Sequence, residues 1–102
     1  MTIFELAELI DADLVVTKTD ENGYYAKFEH GELTDGSILM SECGRGRSPN
    51  GAIREYIQKI RGQRLVIDAY KETRREFVIP VTLVYKPWTR RESTPFMKAR
   101  SV

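Results

Sequence analysis

Gly44-Arg45-Gly46-Arg47-Ser48-Pro49-Asn50-Gly51 is the stretch on which the fold turns. Ser48 can accept from the free amides of a first helical turn, and Pro49 stands where a helix loses nothing by lacking an N–H. A helix therefore starts here. Ala52, Ile53, Tyr56, Ile57 and Ile60 recur on one stripe, Arg54, Lys59 and Arg61 lie off it, and Gly62 supplies the stop. Before the helix, Gly44 and Gly46 are read as a turn whose glycines either reverse the chain or let a ligand approach the backbone.

Working towards the N-terminus, Ser37–Cys43 reads as a strand and residues 31–36, bounded by two glycines, as a turn. Tyr24, Ala26 and Phe28 alternate with Tyr25, Lys27 and Glu29, the pattern of a strand with one buried face. Asn22-Gly23 suits a tight hairpin back to Leu14–Lys18, which is short and rich in β-branched residues. Thr2 and Glu5 form a capping-box pattern ahead of Ile3, Leu6, Ala7 and Ile10 at helical spacing, and this helix should stop near residues 11–13. Three strands with short links most simply make an antiparallel meander.

Working towards the C-terminus, residues 63–70 read as a fourth strand, with Leu65, Ile67 and Ala69 alternating against Val66, Asp68 and Tyr70. Glu76–Ile79 is a short fifth strand, ended or placed at a sheet edge by Pro80, and Val81–Tyr85 continues that edge. The expectation is an α+β fold of order α-β-β-β-α-β-β, with an antiparallel sheet and a helix packed on one face. Residues 1–86 form a single domain. Residues 87–102, aperiodic and basic, form a flexible tail or an arm that orders on binding.

Composition narrows the function classes. The 102 residues are 41% hydrophobic and 30% charged, enough for one core. One cysteine and one histidine exclude an internal disulfide and a zinc site built on such ligands. Apolar runs are too short to span a membrane, and the acidic N-terminus is no signal peptide, so the cytoplasm is the expected compartment. The net charge of +1 conceals a polarity along the chain. Residues 1–42 carry ten acids against Lys18 and Lys27, a balance of −8, and residues 43–102 carry fourteen bases against five acids, a balance of +9. Either the halves face each other and cancel, or they present two surfaces to partners.

Catalytic machinery is not visible. His30 is a lone histidine before Gly31 in a turn, Cys43 is a solitary strand-end cysteine, and the acids show no paired spacing. We expect no enzyme, no catalytic residue, no metal and no cofactor. Arg45, Gly46, Arg47 and Ser48 form the best candidate site, since a helix start with flanking arginines suits phosphate or carboxylate. Gly-x-Gly here lacks the lysine of a nucleotide loop and the third glycine of a dinucleotide fingerprint. Arg54, Arg90 and Arg91, with Tyr85, Trp88 and Phe96 interleaved, extend this basic surface towards a nucleic-acid backbone or an acidic protein. The alternative surface is acidic and includes Glu29, Glu32 and Asp35. An edge strand at Phe77–Ile79 permits a homodimer.

The order of elements over about residues 2–61, with Gly44 to Ser48 leading into Ala52, resembles a double-stranded-RNA-binding domain. That resemblance implies phosphate contacts at the start of the second helix, where this chain has Pro49 and Asn50 in place of lysines. Gly46-x-Ser48-Pro49-x-x-Ala52-Ile53 and the strand Leu65–Ala69 resemble HicB-type antitoxins. The longer run from Gly44 through Tyr56 to Ile60-Arg61-Gly62 is similar to short phage and prophage proteins, which implies a module that binds host protein or nucleic acid, inhibitors of CRISPR nucleases among them. The function expected is therefore non-catalytic binding of a macromolecule.

Overall fold

The computed structural model describes residues 1–19, 22–87 and, as backbone, 97–101. Helix α1 (Ile3–Leu9) begins at the expected capping box: the Thr2 N–H donates to Glu5 Oε1 at 2.9 Å and the Glu5 N–H to Thr2 Oγ1 at 3.2 Å. It ends in a Schellman arrangement, with the Ala12 N–H on the Ala7 carbonyl and Asp11, at φ 50°, in the left-handed position usually held by glycine.

The fold is α+β, and helices and strands follow one another in the expected order. Strands β1 (Leu14–Lys18) and β2 (Tyr24–Phe28) pair antiparallel, and Asn22 takes φ 59° in their connection. Beyond β2 the chain departs from a meander. The segment read as a turn is strand β3 (Gly31–Thr34), and the one expected strand over Ser37–Cys43 is reduced to β4 (Leu39–Met40). The glycines read as a strand-to-helix turn form strand β5 (Gly44–Gly46), followed by helix α2 (Pro49–Ile60). Strand β6 is Arg64–Ile67, shorter than the periodicity implies, and β7 is Arg75–Val78. Met97–Ser101 forms β8, parallel to β1, so the end of the basic tail has strand backbone; residues 88–96 and 102 lie outside the described residues.

Two four-stranded sheets result, β5-β2-β1-β8 and β4-β3-β6-β7. The chain passes from the first to the second at Glu29-His30, where His30 adopts φ 61° and releases β3 from β2. β3 instead joins β6, with Gly31 opposite Ile67 and Leu33 opposite Leu65. Because β6 lies between β3 and β7, Val66 is buried along with Leu65 and Ile67, and the expected one-sided alternation is lost. Val81–Tyr85 does not extend the β7 edge. Leu83 enters the core, and Val84 bridges Thr2 in parallel, its N–H donating to the Met1 carbonyl.

Helix α2 lies on β5 at backbone contact distance. A Cβ built on Gly44 would stand 2.1 Å from the Ala52 carbonyl oxygen, and one on Gly46 would stand 2.6 Å from the Ala52 nitrogen. No side chain fits between these elements, so both positions need glycine for packing. The close approach carries Tyr56 into the core, where its ring meets Phe28 edge-on at 5.8 Å. The Phe28 N–H, past the last residue of β2 that β5 covers, donates to the Tyr56 hydroxyl at 3.1 Å. Burial raises the pKa of that phenol and keeps it protonated.

Two substitutions test this arrangement by urea unfolding. Gly44→Ala should cost more than about 3 kcal/mol, at or above the top of the usual range for overpacking, because backbone rather than a movable side chain opposes the methyl group. Tyr56→Phe should cost about 1–3 kcal/mol, the penalty for stranding a buried amide. A Gly44→Ala protein as stable as the parent would contradict the packing described.

Candidate anion-binding face

Alternation along β5 fixes what the two glycines do for Arg45. With Gly44 and Gly46 facing α2, Arg45 projects from the other side and is exposed. The same reasoning applies to β2: Ala26 and Phe28 are buried, Tyr24 packs against the core, and Tyr25 and Lys27 therefore face outward. Tyr25 is registered between Arg45 of β5 and Thr17 of β1. The register continues to β8, where Arg100 stands opposite Thr17 and Lys98 opposite Val15, itself opposite Lys27. Two rows across the sheet thus read Arg45-Tyr25-Thr17-Arg100 and Lys27-Val15-Lys98. They contain four basic positions and no acid.

Thr17 and Val15 are buried, so the accessible part of this face lies over β2 and β5. There a cleft of about 360 Å³ is lined by Thr19, Tyr25, Lys27, Ser41, Cys43 and Arg45. Lys27 Nζ donates to Ser41 Oγ at 3.4 Å. Among the described residues neither Lys27 nor the Arg45 guanidinium has an ion-pair partner, whereas Lys59 is paired with Glu42 and Glu55.

Glu55 fastens the rim of this face. Its carboxylate accepts the Arg45 backbone N–H at 3.1 Å and lies 3.2 Å from Lys59, whose Nζ also donates to the Cys43 carbonyl at 2.9 Å. The Arg45 amide, ahead of Lys59, holds the Glu55 pKa below its ordinary 4.5.

The expected site residues are dispersed by these contacts. Ser48 is occupied as the N-cap, accepting the Gly51 N–H at 3.0 Å, and Gly46 faces the helix backbone rather than a ligand. Arg47 is exposed just beyond β5. Arg54 stacks on Tyr85, with its guanidinium carbon 4.4 Å from the ring centroid. Arg90 and Arg91 lie outside the described residues. Sequence reasoning missed Lys27, Tyr25 and Ser41. The signal for the first two was present in the alternation of β2, which put them on the wet face.

Of the three acidic candidates, Asp35 is committed to a turn, while Glu32 and Glu29 line adjoining recesses that share His30 and Asp68. Asp35 is used in its own turn, accepting from the Ser37 N–H, the Ser37 hydroxyl and the Ile38 N–H at 2.9, 2.7 and 3.3 Å. These bonds, that of the Ser37 hydroxyl foremost, lower its pKa. Glu32 lines a shallow recess with His30, Asp68 and Lys71. Glu29 instead borders a 220 Å³ cleft with Asp11, Asp13, His30, Asp68 and Arg75. Three of these residues have left-handed backbone, Asp11, His30 and Asp68 at φ 50°, 61° and 55°. Each has a local cause in a helix end, a sheet-to-sheet corner and the start of the β6–β7 turn. Arg75 spans the cleft wall, donating to the carbonyls of Ile10 at 2.5 Å and Asp11 at 3.4 Å. Among the described residues no group of three or more histidine, cysteine or acidic side chains is arranged to hold a metal ion. No helix among them is long and apolar enough to cross a membrane.

No family model matches the chain, and neither a curated protein nor a solved structure is significantly similar to it. Any functional reading therefore rests on the geometry of this face.

A carboxylate with a depressed folded-state pKa contributes stability that is complete above its unfolded value and lost as pH falls through the folded one. Glu55 should stabilise the protein at neutral pH and progressively less below about pH 4.5. Glu55→Gln should melt below the parent at pH 7, with the gap narrowing on acidification. A gap that stays constant to pH 3 would show that the charge on Glu55 does not hold the rim.

Proposed function

We propose that this chain is a non-catalytic binding module that takes a nucleic-acid backbone on the outer face of the β5-β2-β1-β8 sheet. The observation that supports this most strongly is that Lys27 and Arg45 line one cleft with no carboxylate in its lining and have no ion-pair partner among the described residues, the Glu55 carboxylate at the rim accepting the Arg45 backbone N–H. Arg45 is exposed and Lys27 half-buried, and cations without an ion-pair partner are available to replace the counterions of a phosphate chain, which is the main source of affinity in such complexes.

The acidic reading has weaker support. Asp35 is committed to a turn, and the adjoining recesses that Glu29 and Glu32 line also hold Arg75 and Lys71.

Fluorescence anisotropy with labelled oligonucleotides tests the proposal. Micromolar binding should weaken steeply with salt, and Lys27→Ala and Arg45→Ala should each weaken all sequences alike and reduce the salt slope by about 1. Binding to a polyglutamate peptide but to no oligonucleotide would overturn the nucleic-acid reading in favour of an acidic protein.

A further inference from the structure

We infer that the occupant of this face is a single strand, with one base stacked on the Tyr25 ring and its flanking phosphates on Arg45 and Lys27. This inference rests on the phosphate-binding reading and narrows it. Tyr25 is half-buried in the outer face of β2, with Arg45 beside it across the strands and Lys27 two residues along the same strand, about 6.7 Å away. An aromatic ring with one cation across the strands and another along its own strand offers a base a stacking surface and its backbone two charge-assisted contacts. It gains little from a duplex, whose base faces are already covered by their neighbours.

The helix that would be needed to enter a groove is otherwise engaged. On α2, Arg54 is stacked on Tyr85, and Lys59 is held by Glu42, Glu55 and the Cys43 carbonyl. Pro49 and Asn50 at its start contribute no charge. Arg45, and Lys27 with its bond to Ser41, project from the sheet instead. The cleft around Tyr25 is polar at its rim: Thr19 Oγ1 accepts the Gly23 N–H and Ser41 Oγ accepts from Lys27, which leaves each hydroxyl proton to donate to a base edge, and every base carries an acceptor. Recognition should therefore tolerate any sequence.

The full chain is titrated with four labelled probes: a ten-nucleotide thymidine strand, its uridine counterpart, an abasic strand of equal length and charge, and a ten-base-pair duplex. Both base-carrying strands should bind at least about tenfold more tightly than the abasic strand and the duplex. Tyr25→Phe should preserve that difference. Tyr25→Ala, with its circular dichroism checked against the parent, should lose about tenfold for the base-carrying strands and leave the abasic strand unchanged. Equal binding of thymidine and abasic strands would overturn the stacking inference, while continued sensitivity to Arg45→Ala would leave the phosphate-binding face standing. Tighter binding of the duplex would also overturn the inference. Failure of every probe would remove both. The comparison of probes on the parent protein needs no variant, so a Tyr25→Ala chain that does not fold leaves the result decisive.

Discussion

Helix α2 rests on β5 without a layer of side chains between them, and much of the molecule is arranged around that contact. The helix can come so near only because Gly44 and Gly46 present hydrogens where other residues present a Cβ. The approach brings the Tyr56 hydroxyl to an amide of β2 that the three-residue β5 does not reach. One phenol thus completes the sheet ladder and fills the core. A longer β5 would satisfy the amide but would displace the ring. The same two glycines decide which way Arg45 faces, because alternation gives the residue between them to the opposite side of the sheet. Packing and the candidate function are therefore set by one local constraint.

The charge polarity of the chain survives in three dimensions, though in a different form from a simple division of halves. On the β1–β2 hairpin, Tyr25, Lys27 and, across the register, Arg45 lie on the outer face, while Asp13 and Glu29, at the end where Leu14 meets Phe28, line a separate cleft. Acidic and basic residues thus line different clefts, although Lys27 lies within two residues of Glu29. Lys59, paired with Glu42, links the two halves of the chain without neutralising either surface.

The helices were legible in the sequence because their signals are local. Thr2 with Glu5, and Ser48 with Pro49, mark helix starts through hydrogen bonds made within a single turn, and both caps are formed. The sheet was legible only in part. Nothing within residues 31–36 distinguishes a turn from a strand, because Gly31-Glu32-Leu33-Thr34 is extended only by virtue of partners supplied from Arg64–Ile67, some thirty residues on. The partition into two sheets depends on a single left-handed residue, His30, a conformation that periodicity does not reveal. Gly44-Arg45-Gly46 was misread for a related reason. Glycines that accommodate a ligand and glycines that accommodate a helix look identical until the helix is in place. Arg45 was legible as a candidate, and Tyr25 and Lys27 were not singled out, since their neighbourhood with Arg45 is a property of strand pairing.

The account depends most on the outer face of β2 and β5 being the surface that meets a partner. A ¹H–¹⁵N correlation titration of the labelled protein with a short thymidine strand tests this directly. The account predicts that shift changes concentrate at Thr19, Tyr25, Lys27, Ser41 and Arg45, with Asp11, Asp13 and Asp68 unmoved. Changes centred on the acidic cleft, or on the exposed side of α2, would contradict it.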